Sequence, residues 1–186
     1  MKKLLGVMAM KNVLVLIDLQ KEYIIPGRHF YLENNETSLA NLKQLLYHAR
    51  YAGWEIWHVR HLQSAPDRAA FCADSPYSGF IDDFMPQQHE QVFLKHDFSC
   101  FSNLDFAKAM QELQDVSVFI AGYGSTMCCM ATIIEGYGKG FAFQFIADAS
   151  NAKRTDDFTE CILHKAATSI LAAYCRITTT SEVIAL

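Results

Sequence analysis

The sequence has no surplus of positive charge. Sixteen lysines and arginines stand against 20 acidic residues, a net charge of −4, with no basic block or stripe. That removes the electrostatic footprint of a nucleic-acid binder. Long apolar runs are missing as well. None approaches the ~20 residues that a membrane span needs. A disulfide framework is missing too, because the six cysteines are unevenly spaced and two of them are adjacent. Such cysteine usage fits a reducing cytoplasm. No internal repeat, linker or low-complexity segment interrupts the chain. What is present is 186 residues, 51% apolar and 19% charged. This is the composition of one ordered globular domain, long enough to bury a core.

The opening MKKLLGVMAM places Lys2 and Lys3 before a short apolar run, as a signal peptide does. The run is broken at Lys11-Asn12, and no small-residue cleavage pattern follows. Residues 1–10 therefore read as an N-terminal extension and residues 11–186 as a single domain.

Apolar patterning divides that domain into alternating strands and helices. Asn12 to Asp18 is a continuous apolar run ending in an acid, the pattern of a strand covered on both faces. A polar loop, Leu19 to Asn35, contains a Pro26-Gly27 turn. Leu39, Leu42, Leu45, Leu46 and Ala49 fall at helical spacing between Glu36 and Ala52, and Gly53 is a natural stop. Trp54 to Val59 is a second strand, completing a βαβ unit. The stretch from Arg60 to Gln91 is long and irregular, as functional loops are. Val92 to Leu94 is a short strand ending at Lys95, and Leu104 to Leu113 a short helix. Val116 to Ala121 is a strand that breaks at Gly122-Tyr123-Gly124 before a helix from about Thr126 to Lys139. Phe141 to Ala147 is a fifth strand ending at Asp148. Asp157 to Glu160 reads as a capping box. It opens a helix with Ile162, Ala166, Ile170 and Tyr174 on its apolar face. A weak strand, Ile177 to Thr179, closes the series. The expected fold is α/β: a three-layer αβα, Rossmann-like sandwich around a mostly parallel six-stranded sheet.

In such sheets ligands bind beyond the carboxyl ends of the strands. Asp18, Lys95 and the Gly122–Cys128 loop all fall there. Cys128 and Cys129 sit in the first helical turn, where unpaired backbone N–H groups carry partial positive charge. A free thiol titrates near ~8.5. Lowering that by about two units takes roughly 2.7 kcal/mol, of which an exposed helix end supplies about 0.3–1 kcal/mol. A nearby cation must supply the rest. Lys95 is the candidate cation and Asp18 the candidate proton carrier.

Each residue also has a plainer reading. Asp18 alone reads as a turn cap, Lys95 as a solvated lysine, and Cys128 as a small buried hydrophobe. Cys129, Cys72, Cys100, Cys161 and Cys175 read as core residues. His58 and His61 face opposite sides of a strand, which makes one a packed histidine and the other a residue at the site's edge. Phe98 and Tyr77 read as core aromatics.

Taken together, these segments resemble the isochorismatase-like cysteine hydrolase superfamily. Asp18-Leu19-Gln20 matches its acid-any-glutamine motif, and Ile56 to His61 its His-Val-Arg-His run. Lys95 to Phe101, followed by Asn103-Leu104-Asp105, is similar to its lysine segment. Gly122-Tyr-Gly-Ser125-Thr-Met-Cys128-Cys129-Met-Ala-Thr132 is similar to its nucleophile loop. Lys139-Gly140 and Asp148-Ala149 fall in register. The departures are Ser125 for threonine, Cys129 for valine, Leu104 for threonine, and Gly124 where a side chain is common.

The resemblance implies a catalytic triad of Asp18, Lys95 and Cys128, and a cis peptide at Tyr123-Gly124. It implies an oxyanion hole made by the backbone N–H groups of Gly124 and Cys128. Gln20, His61 and Tyr123 are the candidate substrate-binding residues. The activity it suggests is metal-independent hydrolysis of a C–N bond in a small amide or carbamoyl compound, through a thioester. The alternatives are an isochorismatase-type vinyl-ether hydrolase, with Asp18 as acid, and an inactive scaffold or thiol sensor. Nicotinamidases of the superfamily carry an Asp-x-His-and-distant-His metal cluster after the second strand. Arg60 to Asp67 lacks it, so no metal or cofactor is expected. The expected partners are a small-molecule substrate and further copies of the chain, in a cytoplasmic homo-oligomer, with neither nucleic acid nor membrane.

Overall fold

Residues Lys11–Ile17 form strand β1, and everything from Val13 to Ile17 is buried. Alternation along that strand divides the molecule into two cores. Leu14 and Leu16 point to one face, while Val13, Val15 and Ile17 point to the other. The computed structural model describes residues 11–63 and 70–186, so the extension read at residues 1–10 lies outside the described residues.

β1 pairs on both sides, with β2 (Glu55–His61) and with β4 (Val116–Tyr123). β3 (Gln91–Lys95) flanks β2, and β5 (Phe143–Asn151) and β6 (Arg176–Thr178) continue beyond β4. The order is β3-β2-β1-β4-β5-β6, and every pairing is parallel. The expected six-stranded sandwich is the observed one. Successive strands leave β1 in opposite directions, which makes the β1/β4 edge a topological switch point and a natural place for a ligand.

Helix α1 (Glu36–Tyr51) covers one face through Leu42, Leu45, Leu46 and Ala49. It ends as expected at Gly53, whose φ of 70° suits a residue without a side chain. α2 (Leu104–Glu112), α3 (Cys128–Gly138) and α4 (Glu160–Leu171) cover the other face through Phe106, Met110, Ile133 and Leu171. Burying each such side chain contributes about 1.5–3 kcal/mol. A final helix, α5 (Thr180–Ile184), returns to the α1 side. No described helix is long and apolar enough to cross a membrane.

Several sequence expectations are corrected by packing. α3 begins at Cys128, two residues later than Thr126, because residues 125–127 turn at the sheet edge. β5 runs past Asp148 to Asn151, enabled by a register shift between Ile120 and Gly122. The Asp148 carboxylate accepts from the Thr180 N–H (2.7 Å) and Oγ1 (2.9 Å), and so caps α5. Thr159, not Asp157, caps α4, accepting from the Ile162 N–H at 3.4 Å. Glu160 instead accepts from the N–H groups of Glu33 and Asn34, two donors otherwise exposed in a loop. The apolar face assigned to α4 is turned outward. Ile162 and Ile170 are 53% and 51% exposed, while the helix docks through Ala167 and Leu171. Of the cysteines read as core, Cys100 and Cys129 are buried, Cys161 is exposed, and Cys72 and Cys175 are half-buried. Phe98, read as core, is exposed.

His58 is the packed histidine. Its Nε2 lies 2.8 Å from Glu90, which also accepts from Arg50 Nε (2.8 Å), Arg50 Nη2 (2.9 Å) and the Gln87 N–H (2.8 Å). This buried cluster fastens the approach to β3 against α1.

Candidate active site

The site begins where β1 stops being a strand. Asp18 has φ of 54°, a left-handed conformation that aspartate tolerates better than most residues. Its N–H still bonds Val59 O at 2.9 Å, and its own carbonyl accepts from the Gln20 N–H at 2.7 Å. The turn lifts the carboxylate out of the strand's alternation onto the carboxyl edge of the sheet. Neighbouring β4 can approach this closely because Gly122 has no side chain. A Cβ there would lie 2.1 Å from Ile17 O, and its φ of 119° is one that L side chains rarely adopt.

Lys95 ends β3 and Cys128 opens α3. The Lys95 ammonium lies 2.9 Å from Asp18 Oδ2, 3.2 Å from Cys128 Sγ, 3.2 Å from Asp97 O and 3.3 Å from His61 Nδ1. Three N–H bonds are thus divided among four acceptors. Asp18 and Lys95 are fully buried and Cys128 is 4% exposed. The three candidate triad residues come together from three different strand ends, in a buried enclosure onto which only the edge of Cys128 opens. Among the described residues, Asp18 Oδ1 has no hydrogen-bond partner.

Enclosure decides the charges. Burial alone would push the Lys95 amine toward neutrality, but the Asp18 carboxylate outweighs it and holds the ammonium charged, above its ordinary value. Burial and then the Asp18 carboxylate push the Cys128 thiol well above its ordinary value, and Lys95 opposes them without prevailing. This corrects the expectation of a resting thiolate: before substrate arrives, the sulfur carries its proton. Cys129, fully buried, is raised in the same direction by burial, with the Asp18 carboxylate adding to it. Burial and then Lys95 lower His61 to about 4, so its ring is neutral and can accept from the ammonium.

The three candidate substrate-binding residues sit differently. Gln20 Oε1 accepts from the His61 N–H (2.8 Å), and its Nε2 donates to the carbonyls of His61 (2.9 Å) and Ser78 (2.7 Å). Its amide is engaged with backbone, tying the end of β2 to the loop above. His61 stands beside Lys95. The Tyr123 hydroxyl pairs with Ser38 Oγ of α1 at 3.0 Å, and its ring packs on Tyr23 at 5.2 Å.

The nucleophile loop contains a cis peptide at Tyr123-Gly124. Gly124 O accepts from the N–H groups of Met127 (3.0 Å) and Cys129 (3.2 Å), which closes the loop tightly. The N–H groups of Gly124 and Cys128, the candidate oxyanion hole, have no backbone acceptor among the described residues. Thr132 Oγ1 donates to Cys128 O at 2.7 Å and accepts from the Cys100 N–H at 3.0 Å, bracing the first turn of α3.

Sequence reasoning missed the aromatic wall over this enclosure. Tyr23, Phe30 and Phe71 are in mutual contact, with centroids 4.9 to 5.9 Å apart, and Phe71 also meets the His61 ring at 5.2 Å. These residues come from irregular loops, where no periodicity marks them. Ser125 is also fully buried, and its hydroxyl lies 2.9 Å from His164 Nδ1 of α4. Among the described residues, no group of three or more His, Cys, Asp or Glu side chains could hold a metal ion. Part of the Arg60–Asp67 segment weighed for metal binding, from residue 64 on, lies outside the described residues.

Comparison with known proteins gives concordant results. The model of the isochorismatase domain matches residues 12–183. The chain is 29% identical over 140 residues to the isochorismatase family protein YddQ of Bacillus subtilis, covering 75% of this chain and 77% of that protein. Its fold is similar to the crystal structure of an isochorismatase from Pseudomonas putida, with TM-score 0.83 and 25% identity over 93% of this chain and 90% of that one. It is also similar to a cysteine hydrolase from Pseudomonas syringae, with TM-score 0.81 and 21% identity over 94% and 91% of the two chains.

Proposed function

The chain belongs to the isochorismatase family of hydrolases, and we propose that it cleaves the C–N bond of a small amide or carbamoyl compound through a thioester on Cys128. The observation that carries this reading is the buried ammonium of Lys95, held between a carboxylate at 2.9 Å and a thiol at 3.2 Å.

Chemistry follows from that juxtaposition. The thiol is protonated at rest, so its proton must leave as the nucleophile forms. Asp18 accepts it, and Lys95 holds the new thiolate by charge. The sulfur attacks the carbonyl carbon and the C=O electrons move onto oxygen, toward the Gly124 and Cys128 N–H groups. The C–N bond breaks as Asp18 returns the proton to the departing nitrogen. Water then adds to the thioester with Asp18 as base. The C–S bond breaks, and the acid leaves with the thiol restored. Burial of Asp18 and Lys95 strengthens each electrostatic contact.

The test uses a panel of small amides and ureido compounds, with mass spectrometry of the Cys128 peptide to trap an acyl adduct. Turnover should fall by about three orders of magnitude or more in Cys128→Ala and persist in Cys129→Ala. Full activity in Cys128→Ala together with loss in Cys129→Ala overturns the nucleophile assignment.

One observation favours a second reading. A thiol held neutral by burial and by Asp18 is a poor nucleophile at rest, and among the described residues Asp18 Oδ1 is buried without a partner. Asp18 could then serve alone as the acid for a vinyl ether. Turnover of isochorismate that survives Cys128→Ala selects that reading.

A further inference from the structure

The loop that presents the two candidate oxyanion donors is closed mainly upon itself. Its two ends are held by Tyr123, which pairs with Ser38, and by Cys128, which faces Lys95; between them, among the described residues, Ser125 carries the hydrogen bonds that leave the loop. The Ser125 N–H donates to Asn151 O at 2.8 Å, and its hydroxyl pairs with His164 Nδ1 at 2.9 Å. Ser125 is fully buried. Leaving a buried hydroxyl without a partner is destabilising, so the position of the serine depends on that imidazole. His164 is half-buried on α4. Burial lowers its basicity below the ordinary value, against a weaker pull from the Ala147 carbonyl, and so the ring is neutral. A neutral imidazole has one donor and one acceptor, which allows it to pair with a hydroxyl in either sense. α4 itself is anchored through Ala167 and Leu171, which makes His164 a fixed reference point.

We propose that His164 is a positioning residue for the oxyanion hole: through Ser125 it sets where the N–H groups of Gly124 and Cys128 point. It touches neither the sulfur nor the reacting carbon. Its effect should appear when negative charge develops on oxygen, and not in the reactivity of the sulfur toward a reagent that develops none. This inference rests on the amidohydrolase reading, but its test needs no knowledge of the natural substrate.

The measurement is protection of Cys128 from iodoacetamide by a small aldehyde. The sulfur adds reversibly to the aldehyde carbon, the C=O electrons move to oxygen, and the thiol proton is retained in the hemithioacetal. The oxyanion donors stabilise this adduct, whereas alkylation by iodoacetamide does not use them. In His164→Leu the aldehyde concentration needed for half-protection should rise about tenfold, with the uninhibited alkylation rate within about twofold of wild type. In His164→Asn, whose amide places a polar atom where Nδ1 stands, protection should stay within about threefold of wild type. Equal protection in wild type and His164→Leu overturns the proposal. So does a parallel loss of protection and alkylation rate, or failure of Asn to rescue. A wild-type thiol that aldehydes do not protect removes the oxyanion hole itself, and with it the amidohydrolase reading. A protected wild type with indifferent variants removes only the role of His164.

Discussion

Replacing Lys95 with methionine removes the positive charge that faces Asp18 while nearly keeping its volume. The Asp18 carboxylate, fully buried and 2.9 Å from the lysine nitrogen, then has no counter-charge. Breaking a buried ion pair from one side costs about 3–5 kcal/mol. That is a large share of a domain's total stability of about 5–15 kcal/mol. In a chain of this size it corresponds to a fall of roughly 10 °C in Tm. Asp18→Asn strands the ammonium instead and should also destabilise, by less, because Cys128, Asp97 and His61 still face it. Joining the two changes removes both charges, and replacing a whole buried pair is often close to neutral. The double variant should therefore be more stable than Lys95→Met alone, with a coupling of about 2 kcal/mol or more. Urea denaturation at pH 7, read at constant m-value, measures all four corners of the cycle. None of the three variants should retain amide turnover, so restored stability and absent activity come apart in the double variant. A cost below about 1 kcal/mol for Lys95→Met, or simple additivity in the cycle, refutes the claim that the pair is a desolvated charge couple.

Two further predictions follow from the fold. Gly122→Ala would drive a Cβ to 2.1 Å from Ile17 O at a φ of 119°, so β1 and β4 must separate. The variant should lose several kcal/mol or fail to accumulate folded, and wild-type-like melting would contradict the β1–β4 register. Glu90 concerns pH. Burial pushes its carboxyl up, but Arg50, the Gln87 N–H and His58 overcome that and hold it at about 2 against an ordinary 4.5. A depressed folded value stabilises the protein above pH 4.5, and that contribution is lost as pH falls toward 2. The stability gap between wild type and Glu90→Gln should be constant from pH 7 to 5, then shrink by on the order of 3 kcal/mol on further acidification. Parallel curves down to pH 3 would show that the carboxylate is not so held.

Much of this protein can be read along the chain. Continuous apolar runs announce buried strands, and the rule for parallel sheets sends their carboxyl ends to one edge. Asp18, Lys95 and the Gly122–Cys128 loop could therefore be placed together without coordinates, because each lies directly beyond a local signal. The path of α4 could not be read in this way. Its apolar spacing pointed to Ile162 and Ile170, but small Ala167 allows closer docking, and the helix turned that stripe to solvent. The end of β5 was hidden because a register shift against β4 carried it past Asp148.

Protonation was the least accessible property. Sequence patterns placed a helix end and a cation near Cys128, and both argue for a thiolate. The folded chain adds the opposing effects, near-complete burial and an adjacent carboxylate, and they prevail. The pairing of Ser125 with His164, 39 residues apart, and the meeting of Tyr23, Phe30 and Phe71 are equally invisible along the chain. Periodicity is a one-dimensional signal that records which side of an element is covered. Desolvation and hydrogen-bond partnership depend on everything that surrounds an atom, and only the packed molecule supplies those surroundings.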